Sequence, residues 1–256
     1  MVKLSVVIIT LNEERNIGRC LQSVKSVADD IVVVDSGSTD RTAEICHENG
    51  ARFIPHAWEG FTATKNFAVH QAAYPLILAL DADEALSEDL KKSILQAKES
   101  NNTFAGQVNR LTNYCGKWIK HCGWYPDRKI RLFNRSTARW TGMLIHESVE
   151  TDPGIGIWQL EGDLLHYSYY TIADHIAQAN RFTDLTAHEA WLKGRRASLW
   201  QILLNPLARF VRDYFFRAGF LDGYYGFVVC RISAHATFLK YAKLRQLQSG
   251  EPQQSL

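Results

Sequence analysis

Hydrophobic and polar positions along the first hundred residues switch between two periods. Apolar residues run almost unbroken through Leu4–Thr10, then recur as Ile17, Cys20, Leu21 and Val24 at i, i+3, i+4 and i+7. The run reads as a strand buried on both faces, and the spaced set as the apolar stripe of a helix. Asp30–Asp35 repeats the strand signature, and the turn at 36–40 ends in Asp40, a helix-capping residue. A short strand at 52–54, a helix over 64–73 and a buried strand at 75–80 follow, the last running straight into Asp81-Ala82-Asp83. Strands alternating with helices in this way predict βαβ units and a mainly parallel sheet.

From 104 to 166 the pattern changes to short, irregular strands rich in Trp, Tyr and Gly, with 129–133 the clearest alternation. This half is expected to be mixed or antiparallel. From Thr171 onward the spacing is helical. Asn205-Pro206 is expected to interrupt one segment, and 219–226 to turn between two others. Apolar positions 207, 210, 211, 214 and 215 oppose Arg209, Arg212, Asp213 and Arg217, which predicts an amphipathic helix with a basic polar face. The fold class is therefore α/β: a mixed central sheet over 1–168, divided at 103/104, a basic helical extension over 169–248, and a frayed tail over 249–256.

Composition narrows the setting. With 256 residues, 46% of them hydrophobic, the chain can bury one sizeable core and a smaller appended unit. The net charge of +2 says little about partners, but its distribution says more. Between Lys193 and Arg245 stand ten basic residues against only Asp213 and Asp222. Five scattered cysteines without a C-x-x-C pair argue against a disulfide framework or a zinc site and fit a reducing compartment. The apolar start is too short for a signal peptide, and no apolar run is long enough to span a bilayer. A cytoplasmic location is expected.

Three strand ends offer chemistry. Parallel α/β sheets bind ligands at the carboxyl ends of their strands, where Asp81 and Asp83 emerge. Residues i and i+2 of an extended segment point the same way, so both acids can serve one ligand or one hard cation such as Mg2+ or Mn2+. Alone, Asp-x-Asp is no more than an acidic turn before a helix starting near Ser87. Asp35, at the end of the second strand and followed by Gly37, can accept from a base N–H or a ribose hydroxyl. Thr10, Asn12 and Glu13 add polar groups after the first strand.

Taken together, Ser5-Val-Val-Ile-Ile-Thr10-Leu-Asn12-Glu13, Val34-Asp35-Ser-Gly-Ser-Thr-Asp40, Lys65-Asn66 and Asp81-Ala-Asp83-Glu84 resemble the ordered nucleotide-binding signatures of family 2 glycosyltransferases, which have the GT-A fold. Downstream, Trp124-Tyr-Pro-Asp127, Arg131-Leu-Phe-Asn-Arg135, Gly142-x-x-x-His146-Glu147 and Leu165-His166-Tyr-Ser are similar to the branch containing bacterial lipopolysaccharide-core β-glucosyltransferases. The resemblance implies that Thr10, Glu13 and Asp35 serve the nucleoside, that Asn12 belongs to the nucleotide-sugar site, that Lys65 lies near the nucleotide, and that Asp81 and Asp83 serve ribose and a divalent cation. It implies an inverting transfer of a hexose from UDP-glucose or a similar donor to an inner-core heptose on a lipid-linked acceptor. The enzyme would then sit peripherally on the inner face of the bacterial inner membrane.

Inversion needs a base for the acceptor hydroxyl. Glu147 is the candidate and Asp127 the runner-up; the family's Glu-Asp base motif is absent after residue 104. His146 and His166 are candidates for the cation or for phosphate, with a structural hydrogen bond the bland reading of each. Arg128 and Arg131 could clamp a diphosphate or an acidic acceptor, and a structural ion pair is equally open for Arg131. Trp118, Trp124 and Tyr125 could form a sugar-stacking platform, while Trp140 reads as core. The basic helices suit an anionic membrane surface better than nucleic acid, for which no binding motif is present. His146-Glu147 is not a zinc-protease motif, because residue 150 is Glu rather than His. A nucleotidyltransferase or a dinucleotide oxidoreductase would show a Gly-rich phosphate loop, and residues 10–20 contain only Gly18. Other envelope glycosyltransferases, or a membrane-attached protein with a degenerate sugar-nucleotide site, remain as alternatives.

Overall fold

The computed structural model describes residues 1–100, 104–142 and 147–249; His146 and most of the expected tail lie outside them. The first segment is a βαβ series: β1 (Leu4–Thr10), α1 (Ile17–Val24), β2 (Asp30–Asp35), α2 (Thr42–Glu48), β3 (Arg52–Pro55), α3 (Phe61–Gln71) and β4 (Leu76–Asp81). These strands run parallel in the order β3-β2-β1-β4. The chain leaves β1 in one direction for β2 and β3 and returns on its other side as β4. This places a topological switch point between β1 and β4. β1 is apolar almost throughout because both its faces are covered: Val6 and Ile8 pack with Ile17 and Leu21 of α1, while Val7 packs with Ala68 and Val69 of α3.

After β4 come β5 (Glu84–Leu86) and α4 (Glu88–Glu99), whose N-cap Ser87 accepts from the Leu90 amide. β6 (Phe104–Tyr114), β7 (Lys117–Ile119), β8 (Asp127–Asn134), β9 (Ala138–Thr141), β10 (Ser148–Thr151) and β11 (Gly156–Tyr169) follow. The sheet continues from β4 through β8, β6, β11 and β5, with antiparallel pairing at β4–β8, β8–β6 and β11–β5, while β9 and β10 form a separate two-stranded ladder. The central sheet is therefore mixed, with its parallel half first.

The rest is helical: α5 (Ile172–Leu192), α6 (Leu199–Val211) and α7 (Gly223–Gln248). Capping boxes Thr171/Asp174 and Ser198/Gln201 start the first two. The chain divides into two compact units, Met1–Leu111 with Pro126–Tyr167, and Thr112–Tyr125 with the residues from Ser168 onward. The segment Thr112–Tyr125, assigned to the strand half on sequence, belongs with the helices because Tyr114, Ile119 and Cys122 bury themselves against Val229 and Cys230 of α7.

Two expectations for the helices are corrected. Asn205-Pro206 does not interrupt a helix; α6 runs through Pro206. Proline there deletes one intrahelical bond, and the packing of α6 along α7 outweighs the loss. The turn expected at 219–226 is shorter, a 3-10 turn at Gly219–Asp222, and Gly226 lies inside α7. A Cβ at Gly226 would stand 2.0 Å from the Gly219 carbonyl oxygen, so glycine there permits close packing rather than a turn.

Gly162 on β11 has φ +86°, and a Cβ there would stand 2.3 Å from the Leu90 amide nitrogen at the start of α4. Gly162→Ala is expected to cost about 2–4 kcal/mol from backbone strain plus overlap. Denaturant unfolding checks this, and a wild-type midpoint would contradict it.

Candidate active site

The ladder register brings the polar strand ends together. Thr10 lies opposite Asp35 and Ile9 opposite Asp81, so the ends of β1, β2 and β4 form one rim at the switch point. Asp35 is buried and accepts from the Gly37 and Ser38 amides at 3.0 and 2.8 Å and from the Ser38 hydroxyl. Gly37 allows that turn, with φ +99°. Asn12 is exposed and left-handed; its amide donates to Ser38 Oγ and its Oδ1 accepts from the Thr39 amide, stitching the first two rim loops together. Glu13 accepts from Asn16 Nδ2 at 2.8 Å. Burial, with help from the neighbouring Asp83 and Asp40 charges, pushes the Glu13 carboxyl above its ordinary range despite that hydrogen bond.

Beyond β4 the rim becomes a charge network. Glu84 has no side-chain exposure; its Oε1 accepts from Arg131 Nη2 at 2.6 Å, and its Oε2 accepts from the Asp81 amide at 3.0 Å. Arg131, from β8, also donates to Asp81 Oδ2 at 2.8 Å. Lys65, buried on α3, lies 3.0 Å from Asp81 Oδ1 and 3.3 Å from Glu147 Oε1, with its ammonium 4.5 Å from the centre of the Trp140 ring. Burial would raise the Asp81 carboxyl, but Lys65 and Arg131 hold it far below the usual carboxylate range.

His166 on β11 pairs across the ladder with Glu84 on β5, which sets its Nε2 at 3.1 Å from Asp83 Oδ2. Burial pushes the Asp83 carboxyl up, and His166, by charge and hydrogen bond, brings it below its ordinary value. Among the described residues no group of three or more His, Cys, Asp and Glu could by itself hold a metal. Asp83 and His166 nevertheless offer a carboxylate and an imidazole side by side, a donor pair suited to a divalent cation that takes its other ligands from a diphosphate and water.

The remaining candidates separate along β8. The pairing of β8 with β6 shifts register at Arg131, which lies with Lys65 and Trp140 on the α3 side, whereas Asp127 pairs with Arg110 of β6, and Arg128 is exposed and makes no ion pair among the described residues. Both oxygens of Asp127 are engaged: Oδ2 by Arg110 Nε and Nη2 at 2.9 and 2.7 Å, Oδ1 by Lys129 at 3.2 Å. Glu147 meets Lys65 through Oε1, and its Oε2 has no partner among the described residues. Trp140 is buried, as expected of a core residue. Trp124 packs on Tyr114, Tyr169 and His175 in the helical unit. Two members of the network are not apparent from sequence as site residues: Arg110, opposite Asp127 on β6, and Glu84 as the shared anchor. Only the strand register shows them. Thr10 Oγ1, Arg131 Nε and Trp140 Nε1, buried and without a partner among the described residues, lie at this site, as expected where a polar ligand docks.

A parallel half with acids at its switch point, continued by an antiparallel half, is the GT-A fold of glycosyltransferases. The family model for glycosyl transferase family 2 matches residues 5–151, and the chain belongs to that family. It is 33% identical over 257 residues to an uncharacterized glycosyltransferase of Rickettsia typhi, covering 96% of this chain and 88% of that one. It is 30% identical over 255 residues to the lipopolysaccharide core biosynthesis glycosyltransferase LpsC of Rhizobium meliloti, covering 95% and 92%. Among solved structures, S. aureus TarS superposes with a TM-score of 0.46 at 16% identity, over 71% of this chain and 39% of that one.

The Asp81 carboxyl gives a pH signature. An aspartate titrates at about 3.9 in the unfolded chain, and folding lowers that value, so its stabilisation is complete above about pH 4 and is lost as pH falls toward the folded value. The difference in unfolding free energy between wild type and Asp81→Asn is expected to shrink from pH 5 to pH 2, roughly the window below the unfolded value. Urea titrations across that range read it; a constant difference would contradict the ion pairs.

Proposed function

We propose that the protein transfers a hexose, glucose from UDP-glucose, with inversion onto an inner-core heptose of lipopolysaccharide at the cytoplasmic face of the inner membrane. The observation that carries the donor half is the alignment of Thr10, Asp35, Asp81 and Asp83 along one rim beside two buried cations, Lys65 and Arg131. Similarity over nearly the whole chain to LpsC, named for lipopolysaccharide core biosynthesis, supports the acceptor half.

In this reading Thr10, Asn12, Glu13 and Asp35 frame the nucleoside and Asp81 the ribose, with Lys65 and Arg131 beside the diphosphate. Asp83 with His166 would hold a divalent cation, Mg2+ or Mn2+, and a cation bound there would neutralise charge developing on the departing diphosphate. Glu147 is the base. Its Oε2, without a partner among the described residues, accepts the proton of the acceptor hydroxyl as that hydroxyl oxygen attacks the anomeric carbon from the face opposite the diphosphate, while Lys65 fixes the other oxygen. Asp127 is less suited, since Arg110 and Lys129 occupy both its oxygens.

Membrane contact is supported by a surface on which basic and apolar groups lie together. Asp213 is buried and bonded by Arg209, Arg212 and Arg217, and Arg212 and Arg217, around the π-helical continuation Arg212–Phe216 of α6, stay exposed. The apolar side faces outward, with Trp200 71%, Leu203 60% and Phe216 83% exposed. Among the described residues no helix is long and apolar enough to cross a membrane. A face of this kind suits a helix lying in the plane of a bilayer surface.

Asp83→Ala is expected to reduce Mn2+-dependent turnover of UDP-glucose at least about a hundredfold, on the scale of losing a principal electrostatic contribution. Near-normal turnover would remove the cation assignment. Glu147→Gln should lower kcat by about 10²–10⁴ with donor affinity retained, and Asp127→Asn far less. The reverse ranking transfers the role to Asp127.

A further inference from the structure

The helical unit contains a cavity of about 610 Å³ bounded by α5, α6 and α7, a size typical of small-ligand sites. Its wall combines the hydroxyls of Thr186, Ser233 and Thr237 with the side chains of Arg209, Arg212 and Lys240, and no Asp or Glu lines it. The nearest compensation is Asp213, one carboxylate contacted by three arginines, which leaves an excess of two positive charges. Arg209 and Arg212 each reach Asp213 through Nε, and their terminal amino groups make no hydrogen bond among the described residues. Lys240 makes no ion pair among those residues; its contact is the Tyr241 ring, 5.7 Å from the ammonium. His175 also lines the cavity, and burial lowers its pKa to about 4, so it adds no charge at neutral pH.

Guanidinium groups with free paired donors, an ammonium and several hydroxyls match the oxygens of a phosphate. The surroundings select its source. Phe182, in the cavity wall, is exposed, and so are Leu204, Leu207 and Val211 on α6, which gives Asn205, Ala208 and Arg209 to that wall. A free phosphate ester in solution gains nothing from that apolar border, whereas a lipid places acyl chains against it. We propose that this cavity binds the phosphate of an anionic lipid headgroup while the outward face of α6 lies among the acyl chains. This deepens the membrane reading above and rests on it; it is independent of the donor chemistry.

The test is co-sedimentation of the full chain with phosphatidylcholine vesicles, alone or with about one third phosphatidylglycerol. Arg212→Gln/Lys240→Gln removes two charges from the cavity, and Arg195→Gln/Arg196→Gln removes two exposed charges outside it. The cavity pair should lower partition onto the anionic vesicles about tenfold or more, and the outer pair about threefold or less. Equal losses would mean diffuse attraction and overturn the site. Lys240→Gln alone breaks no ion pair and keeps the test readable if the double variant fails to fold; wild-type partition of this variant also overturns the site. Trp200→Ser/Leu203→Ser should lose binding to both vesicle types. A wild-type protein that binds neither type refutes the membrane reading itself. In a parallel arm, millimolar inorganic phosphate that raises the melting temperature of wild type but not of Lys240→Gln, with vesicle partition equal in the two, would assign the cavity to a soluble phosphate and overturn the lipid source.

Discussion

The arrangement at the rim depends on one buried carboxylate. Glu84 is withdrawn from water, and a group of this kind is tolerated only when its oxygens are bonded. Arg131 and the Asp81 amide meet that requirement, and both act beyond it, since Arg131 also reaches Asp81 and the amide fixes the end of β4. Arg110 lies 3.5 Å from the same oxygen and carries the network to Asp127, while Lys65 extends it from Asp81 to Glu147. Removing one partner from such a set costs more than the pair itself contributes, because the remaining charges are left unmatched. The geometry of both candidate bases is thus tied to a residue with no contact to solvent.

Sequence pattern reads the parallel half well for a physical reason. Strands covered on both faces must be apolar throughout, so β1, β2 and β4 stand out, and their polar last residues fall on one rim. The antiparallel half is less legible, since its partners are set by register. Arg110 meets Asp127 only because β6 and β8 pair at that offset, and His166 meets Asp83 through the pairing of β11 with β5. The short strand β5, directly after the acidic turn, is likewise invisible to periodicity.

In the helical part, amphipathicity is legible and the tertiary partners are not. Arg209, Arg212 and Arg217 read as a solvated face, and Arg212 and Arg217 are exposed, but all three also bond the buried Asp213 and offset its desolvation. Phe210 and Tyr214 pack inward with Val229 and Cys230 while the leucines of α6 stay outside, and Arg209 and Arg212 border a cavity. Pro206 shows the same effect on a smaller scale: packing on α7 overrides a local helix breaker.

The chain is a family 2 glycosyltransferase, and the proposed donor site lies at the β1/β4 switch point, with a cation held jointly by protein and diphosphate. The most direct measurement of that proposal is calorimetric titration of UDP-glucose into the wild-type protein with and without Mn2+. Binding that requires the cation, and is lost in Asp83→Ala, is the result the account predicts. Equal affinity with and without Mn2+ would contradict it.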